Sequence, residues 1–539
     1  MPASNGGENS PPQGREMKDR PAFQVIVLGP TGGPREDNVT GLLVRSTSTE
    51  WSKCSVVAVD AGTLVAGIIR TLEQYITGTE DGKALMKEGP FVGLDLPHAT
   101  AQANAAYVFR EIIGAVLITH PHLDHLSGLA INTPMLEAGS GPKTVAALPS
   151  VISAIKNHMF NDVIWPNLSD EDGGAGLITY QRLVEGGNPR FGRGESRGYV
   201  RACEGLVAKC VGVSHGRCKQ RYHPETGRHH RVGSAVFTTD PLMVSSRTIS
   251  VDHSDGIYSP RSPHFGSHIS STAGKDGWAT VESSAFFIRD GLTGKEIIVF
   301  GDIEPDSISL DPRNKRVWEI AAPKVASGSL RAIFIECSYN DAVDDHSLYG
   351  HLCPRHLIAE LKVLAAKVVD VQQPHSRGHS NKRKRNDSES AEDTSEQVSP
   401  RTTRPVPYTP ENSCISDDPR GSTGARSRTR LRRNSSVINT RETVELIRDE
   451  HTRIIAEPVD VGDDGARTDD SNTQTNHRWG DLGRPPLAGL SVYIIHIKDT
   501  LTDGPHPGEQ ILQELRTQSE EAGLGCEFFV PKQGEGIWI

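Results

Sequence analysis

The chain has 539 residues, of which 36% are hydrophobic and 5% aromatic, too few for a protein that is packed along its whole length. Its net charge of -10 argues against the strong positive field with which nucleic-acid-binding proteins hold their ligand. No run of roughly 18 apolar residues is present, so we expect no membrane span. The eight cysteines are scattered without a C-x-x-C pair, which predicts reduced thiols in the cytoplasm.

The first part of the chain contains short apolar runs separated by turn residues. Residues 1–22 are rich in Pro, Gly, Ser and charge and are predicted to be disordered. Predicted strands follow at residues 23–29, 40–45 and 56–62, and the third of these contains Asp60. Order is therefore expected to begin with the first of these strands.

A fourth apolar run, residues 114–119, leads directly into the hexapeptide HPHLDH at residues 120–125. A run of this length that begins at Gly is typical of a buried strand whose carboxyl end delivers side chains to a site. Imidazole and carboxylate groups bind zinc or a similar divalent ion, and four such donors exceed what one tetrahedral ion takes from a single hexapeptide. The motif therefore predicts two adjacent ions and a hydrolytic reaction.

Later apolar runs end in further residues of the ligand type. The predicted strands 211–215, 297–302, 333–336 and 493–496 end in His215, Asp302, Glu336 and His496. Repeated delivery of His or carboxylate at strand ends is what an α/β layered fold does when it builds one site along one sheet edge. A single buried strand often ends in a polar residue for no functional reason, but this number of coincidences favours a shared site.

Two segments interrupt the pattern of strands. Residues 222–275 are rich in Arg, His, Ser and Gly and are predicted to be a mobile insertion. Residues 372–485 have few apolar clusters and are predicted to be a disordered Ser- and Arg-rich insertion, after which strand-like sequence resumes. The folded domain is therefore expected to comprise residues 23–371 and 486–539.

The HPHLDH motif resembles the H-x-H-x-D-H signature of the metallo-β-lactamase superfamily. The longer string HPHLDHLSGLAINTP at residues 120–134 is more narrowly similar to the class II cyclic-nucleotide phosphodiesterases of fungi, with Thr133 where that family usually has Ser. The resemblance implies an α/β fold, the metallo-β-lactamase-like αβ/βα sandwich, carrying a long disordered insertion. It also implies metal-dependent hydrolysis of 3′,5′-cyclic nucleotides.

The resemblance assigns roles to the ligand-type residues. The side chains that it places on the first of two divalent ions, for which we expect zinc, are His120, His122 and His215. Asp124 and His125 would belong to the second ion, and Asp302 would bridge the two. Asp60 is expected to support the ligand loop by hydrogen bonds without touching metal.

Two histidines compete for the remaining positions. His496 follows an apolar strand and resembles the superfamily's final metal ligand. His351 precedes a helix predicted to begin at Pro354 and resembles the histidine that donates a proton in relatives of ribonuclease Z. The sequence leaves open which of the two is the last metal ligand. The expected catalytic residues are Asp124, which would orient the attacking hydroxide, and His351, which would protonate the leaving oxygen.

The expected activity is hydrolysis of cyclic AMP to AMP in the cytoplasm, with the nucleus as the alternative location, and its role is to attenuate cyclic-AMP signalling. The rival interpretations are a ribonuclease Z-like nuclease, a thioesterase on the same fold, and a non-catalytic scaffold. The expected partner is a small cyclic nucleotide, with no nucleic acid and no membrane. In the second insertion Ser435 follows two arginines at a spacing that cyclic-AMP-dependent protein kinase favours, which makes it a candidate phosphorylation site and a kinase a candidate partner.

Overall fold

A computed structural model describes residues 20–137, 141–232, 277–373 and 483–539. The strands of these residues are, in chain order, β1 (Phe23–Gly29), β2 (Gly41–Ser46), β3 (Val56–Val59), β4 (Ile76–Glu80), β5 (Lys83–Met86), β6 (Ile113–Leu117), β7 (Lys143–Ala147), β8 (Ile178–Arg182), β9 (Val200–Cys203), β10 (Leu206–Cys218), β11 (Gln220–His223), β12 (Arg228–Arg231), β13 (Ala279–Asp290), β14 (Glu296–Phe300), β15 (Leu330–Glu336), β16 (Ser491–Ile495), β17 (Glu527–Phe529) and β18 (Gly536–Trp538). The helices are α1 (Val65–Tyr75), α2 (Ala101–Tyr107), α3 (Leu123–Asn132), α4 (Pro149–Ala154), α5 (Asn314–Ala326), α6 (Pro354–Gln372) and α7 (Pro507–Glu521). Within these described ranges, none of the helices is long and apolar enough to span a membrane.

Two seven-stranded mixed sheets form the body of the fold. The first has the strand order β18-β1-β2-β3-β6-β7-β8, and the second has the order β17-β16-β15-β14-β13-β10-β9. Strands β3, β6, β7 and β8 run parallel to one another, as do β14, β15, β16 and β17. The carboxyl ends of neighbouring parallel strands meet at one edge of a sheet, where open α/β folds bind their ligands. Each sheet therefore has one edge at which a site can be built.

The two sheets pack against each other, with helices on their outer faces. Every residue of β1, β2 and β3 is buried, which requires cover on both faces of the first sheet. Side chains of the second sheet alternate between two cores, because Phe286 and Val299 join the core of the first sheet whereas Phe287 and Phe300 pack with Trp318 of α5. Helices α1 and α2 contribute to the first core, and α6 and α7 to the second. The predicted αβ/βα sandwich is confirmed.

Most predicted strands agree with the structure to within a few residues at their ends, and β1 spans the predicted range in full. Strand β10 is longer than the predicted strand 211–215, because its pairing with β13 continues beyond His215 to Cys218. A bulge between His215 and Arg217 interrupts this pairing. His215 therefore lies at a bulge inside a strand, which is a common way to redirect a functional side chain.

The hairpin of β11 and β12 lies where the first insertion was predicted to begin. The prediction started the insertion at residue 222, but residues 220–231 form two paired strands. A hairpin of this size depends on tertiary contacts that sequence periodicity does not report. One of them is a hydrogen bond of 2.9 Å from Ser153 Oγ to the carbonyl oxygen of Gly227. Residues 233–276, nearly all of the second insertion and Ser435 lie outside the described residues, so their predictions stay predictions.

Candidate metal centre

Seven side chains of the ligand type come together at the sheet edges. They arrive from the loop after β6, the first turn of α3, the bulge of β10, and the loops after β14 and β16. They are His120, His122, Asp124, His125, His215, Asp302 and His496. The structure thus brings together every residue that the sequence predicted to bind metal.

The first group consists of three histidines and one aspartate, and their ligand atoms lie within 4.8 Å of one another. Asp302 Oδ2 is 3.7 Å from His120 Nε2 and 3.6 Å from His215 Nε2, and His122 is the fourth member. The Nδ1 atom of His215 is 2.8 Å from the carbonyl oxygen of Gly350, which fixes the orientation of that ring. Imidazoles and a carboxylate that converge in this way match a divalent-ion site.

The second group consists of Asp124, His125, His496 and again Asp302, with ligand atoms that also lie within 4.8 Å of one another. His125 Nε2 is 3.1 Å from Asp302 Oδ1, and His496 Nε2 is 3.1 Å from Asp302 Oδ2. Asp124 Oδ2 lies 3.6 Å from His496 Nε2. Asp302 belongs to both groups, so the two groups are adjacent.

The innermost polar atoms of these groups indicate a missing partner. Within the described part of the chain, the Nε2 atoms of His120, His125 and His496 and the Oδ1 atom of Asp302 are buried and make no well-aligned hydrogen bond, although two of these nitrogens lie 3.1 Å from the Asp302 carboxylate. A buried polar atom without a partner costs about 1–3 kcal/mol. A divalent cation would accept the imidazole lone pairs and neutralise the carboxylate at once. The residues therefore fit divalent metal ions.

The electrostatics keep most of these imidazoles neutral, which is the form that binds metal. Burial lowers the pKa of His215 to about 3 and holds the pKa of His120 well below its usual range. Burial acts on His125 in the same direction, but the carboxylates of Asp302 and Asp60 outweigh it and hold the pKa of His125 well above the usual range. For Asp302, burial favours the neutral form, yet the surrounding histidines hold its pKa well below the usual range. The carboxylate that both groups share thus carries negative charge at neutral pH.

Asp60 supports the loop that carries the HPHLDH motif. Its Oδ1 accepts a hydrogen bond of 2.8 Å from the backbone N–H of Thr119, and its Oδ2 lies 2.8 Å from His125 Nδ1. A carboxylate on the outer nitrogen of a histidine orients the inner nitrogen toward metal. The loop also needs Gly62, because a Cβ there would lie 1.9 Å from the carbonyl oxygen of Asp124. Asp60 thus lies behind this loop, outside both groups of ligand atoms.

His351 lies in the loop between β15 and α6, beside a carboxylate to which the sequence analysis gave no role. Its Nδ1 is 3.0 Å from Glu336 Oε2 and 3.7 Å from Asp302 Oδ2. Burial lowers the pKa of His351 to about 4, so its imidazole is uncharged at neutral pH. Burial, together with the charge of Asp302, raises the pKa of Glu336 to about 7. With His215 and Asp302, these two residues form a third group close enough to hold an ion.

Three residues at the centre have no role in the sequence-based prediction. Glu336 ends an apolar run as Asp302 does, so the strand-end signal was present for it. No sequence pattern marks Thr40 as part of the site. Its Oγ1 is 2.7 Å from His496 Nδ1, and this contact leaves the Nε2 atom of His496 to face Asp302. No sequence pattern marks Lys498 either, and its Nζ lies 3.6 Å from Asp124 Oδ2.

The family of the chain follows from comparison with known sequences. The model of the class-II cAMP phosphodiesterases matches residues 24–377. The chain belongs to this family. The resemblance drawn from the HPHLDH motif is thereby confirmed.

Individual relatives of this class-II phosphodiesterase agree with the family assignment. The 3′,5′-cyclic-nucleotide phosphodiesterase of Schizosaccharomyces pombe is 25% identical over 347 residues, which is 64% of this chain and 76% of that protein. The 3′,5′-cyclic-nucleotide phosphodiesterase 1 of Saccharomyces cerevisiae is 25% identical over 378 residues, which is 64% of this chain and 82% of that protein. The crystal structure of unliganded yeast PDE1 matches with a TM-score of 0.54 and 20% identity over 96% of this chain and 100% of that chain. This last similarity shows a common fold.

One residue of this class-II phosphodiesterase departs from the expected family pattern, and the structure explains why it is tolerated. Thr133 is buried at the end of α3, and its Oγ1 donates a hydrogen bond of 2.6 Å to the carbonyl oxygen of Leu129. The same carbonyl oxygen also accepts the backbone N–H of Thr133, so the hydroxyl adds a second bond to the end of the helix. A Ser hydroxyl can make the same bond, so the exchange keeps the interaction.

Proposed function

We propose that this class-II phosphodiesterase hydrolyses 3′,5′-cyclic AMP to AMP with two divalent metal ions, for which zinc suits the donor set. The observation that carries the proposal is the position of Asp302, which is common to two adjacent groups of ligand-type side chains. Two-metal hydrolases use such a pair of sites to act on phosphoryl groups. Membership of the class-II cAMP phosphodiesterases supports a cyclic nucleotide as the substrate.

When bound, the two ions would neutralise the phosphoryl oxygens and make water a stronger nucleophile at neutral pH. Asp124 would accept a hydrogen bond from the attacking water and orient it toward phosphorus. Burial alone would raise the pKa of Asp124, but His125 and His496 lower it below the usual value. Asp124 is therefore ionised at neutral pH, as a hydrogen-bond acceptor for water needs to be.

His351 would donate a proton to the leaving O3′ of the ribose. Its Nδ1 lies 3.0 Å from Glu336, whose pKa of about 7 allows that carboxyl group to hold a proton, so the neutral imidazole would carry its own proton on Nε2. As Nε2 gives this proton to O3′, the proton of Glu336 would pass to Nδ1, which leaves the imidazole neutral and Glu336 ionised. His496 has the opposite arrangement, because Thr40 holds its outer nitrogen and its Nε2 is 3.1 Å from Asp302. We therefore assign proton transfer to His351 and metal binding to His496.

The rival interpretations have less support. Family membership does not favour a ribonuclease Z-like nuclease or a thioesterase, and a complete set of ligand-type residues is not expected of a scaffold without activity. The attenuation of cyclic-AMP signalling in the cytoplasm is part of the proposal. The action of a kinase on Ser435 also remains a proposal, to be tested by incubation with cyclic-AMP-dependent protein kinase and mapping of phosphate.

The experiment is a product assay on the full-length protein. AMP formed from cyclic AMP is measured before chelation, after removal of metal, and after zinc is added back. We expect turnover that chelation abolishes and zinc restores. Cyclic GMP, a precursor tRNA and a thioester are tested in parallel. Faster cleavage of the tRNA or the thioester than of either cyclic nucleotide, or turnover of cyclic AMP that survives complete metal removal, would contradict the proposal.

A further inference from the structure

A cavity of about 200 Å³ adjoins the candidate metal centre on the side of His122. Its walls are formed by five parts of the chain: the loop that carries Pro121 and His122, helix α4 with the helical segment that follows it, the end of β10, the hairpin of β11 and β12, and strand β13. His122 is a wall of the cavity and a member of the first ligand group. A substrate whose phosphate lies at the metal centre therefore has this cavity within reach.

One wall of the cavity is aromatic. Tyr222 and His229 are directly opposed in the register of the hairpin, and their ring centroids are 5.4 Å apart. The ring of His158, which follows α4, lies 6.2 Å from that of His229. Val151 and Ala154 of α4 add an apolar surface. Flat aromatic ligands are held by surfaces of this kind, because a ring can stack on the aromatic side chains while its other face contacts aliphatic groups.

The polar groups of the cavity are few and fixed. Glu282 of β13 accepts hydrogen bonds from Ser150 Oγ and, at 2.9 Å, from Arg313 Nη1, so its carboxylate is held in one place. The Nδ1 atom of His229 is buried and has no hydrogen-bond partner among the described residues. A ligand with a hydrogen-bond donor on one edge would pair with the Glu282 carboxylate.

We propose that this cavity is a base pocket that binds the purine of the cyclic nucleotide, and this inference rests on the proposed function. The rings of Tyr222 and His229 are tilted by 54°, so the base stacks on one ring, contacts the edge of the other, and turns its polar edge toward Glu282. Adenine and guanine both carry an exocyclic amine that can donate to a carboxylate, so the pocket recognises purines as a class. Stacking on aromatic side chains is how proteins hold unpaired bases, and each such contact contributes substantially to affinity.

The test separates binding of the base from binding of the phosphate. Tyr222→Leu and His229→Leu are each expected to raise the KM for cyclic AMP roughly tenfold with little change in kcat, because each removes an aromatic contact with the base. The inhibition constant of 5′-AMP is expected to rise in parallel. Ribose 5-phosphate carries the sugar and phosphate without the base, so its inhibition constant should stay within about twofold. Tyr222→Phe keeps the ring and should recover most of the affinity that Tyr222→Leu loses.

The matched control lies on the opposite face of the same hairpin. The ring of His223 is 5.0 Å from that of His230, away from the cavity, and His223→Leu should leave the KM for cyclic AMP unchanged. The base pocket is overturned by three results: an unchanged KM in both pocket variants, equal weakening of ribose 5-phosphate and 5′-AMP, or a control variant as damaging as the pocket variants. A wild-type protein that turns over neither cyclic AMP nor cyclic GMP would instead overturn the proposed function, and the pocket with it.

Discussion

The two sheets contribute to the candidate metal centre in different ways. The first sheet supplies four candidate ligands from one hexapeptide, residues 120–125, with Asp60 behind them. The second sheet supplies His215, Asp302 and His496 from three strands that lie far apart along the chain. The hexapeptide is positioned by a strand end and a helix start, whereas the second set depends on the order of strands in a sheet. Half of the centre is thus a property of local sequence and the other half a property of the fold.

The largest effect is expected at Asp302, where the contributions of the two sheets meet. Asp302→Ala is predicted to remove the ligand that both ions share and to lower turnover of cyclic AMP by several orders of magnitude while the protein stays folded. Metal content by mass spectrometry and turnover are measured on the same sample. The control is Asp306→Ala, since Asp306 accepts a hydrogen bond of 2.9 Å from the backbone N–H of Asn314 at the start of α5 and lies outside the ligand groups. Full metal content and a near-wild-type rate in Asp302→Ala would show that the ions do not share this residue.

The next effect separates two neighbouring histidines of the second sheet. His496→Ala is predicted to deplete the second ion. His351→Ala is predicted to keep both ions and to lower kcat by roughly 10²–10⁴-fold for cyclic AMP, the range for loss of a general acid. The loss should be smaller for a nitrophenyl phosphodiester, because its leaving group needs no proton. Equal losses for both substrates, or metal loss in His351→Ala, would reverse the two roles.

A smaller effect is expected at Asp60, which supports the first-sheet ligands without belonging to either group. Asp60→Asn keeps the left-handed backbone, φ 55°, that asparagine tolerates, but weakens the acceptor for Thr119 and His125. Metal affinity is predicted to fall about 10–100-fold, as for other residues that orient metal ligands. A zinc titration of turnover measures it, and excess zinc should restore the rate. Unchanged zinc dependence would mean that the HPHLDH loop holds its geometry without Asp60.

The smallest effect is expected from the second insertion. Deletion of residues 376–480 is predicted to leave kcat and KM for cyclic AMP within about twofold of wild type, because the free-energy cost of a loop changes only slowly with its length. Steady-state kinetics on the shortened protein measure this. A soluble but inactive deletion protein would give the insertion a part in catalysis.

The sequence could predict those parts of the centre that carry a local signal. The spacing of HPHLDH identified four candidate ligands, and the strand-end pattern together with the family resemblance added His215, Asp302 and His496. Glu336 carried the same strand-end signal but was given no role, since many buried strands end in a polar residue. Only the fold puts it 3.0 Å from His351.

The surroundings of the centre were harder to predict. Tyr222 and His229 lie in a stretch without clear periodicity, and their register becomes visible only when the hairpin packs on α4. Thr40 reaches His496 across 456 positions of sequence, a contact that no local pattern encodes. Such residues depend on tertiary structure in the same way as the second-sheet ligands do.

The central claim is that two ions share Asp302, and the most direct test is a crystal structure of the zinc-loaded protein with anomalous data at the zinc edge. We predict two peaks in each chain, with Asp302 bonded to both ions at about 2.0–2.2 Å. The ligands of the first peak should be His120, His122 and His215, and those of the second should be Asp124, His125 and His496. A single peak, or a peak bound by Glu336 and His351, would contradict the claim.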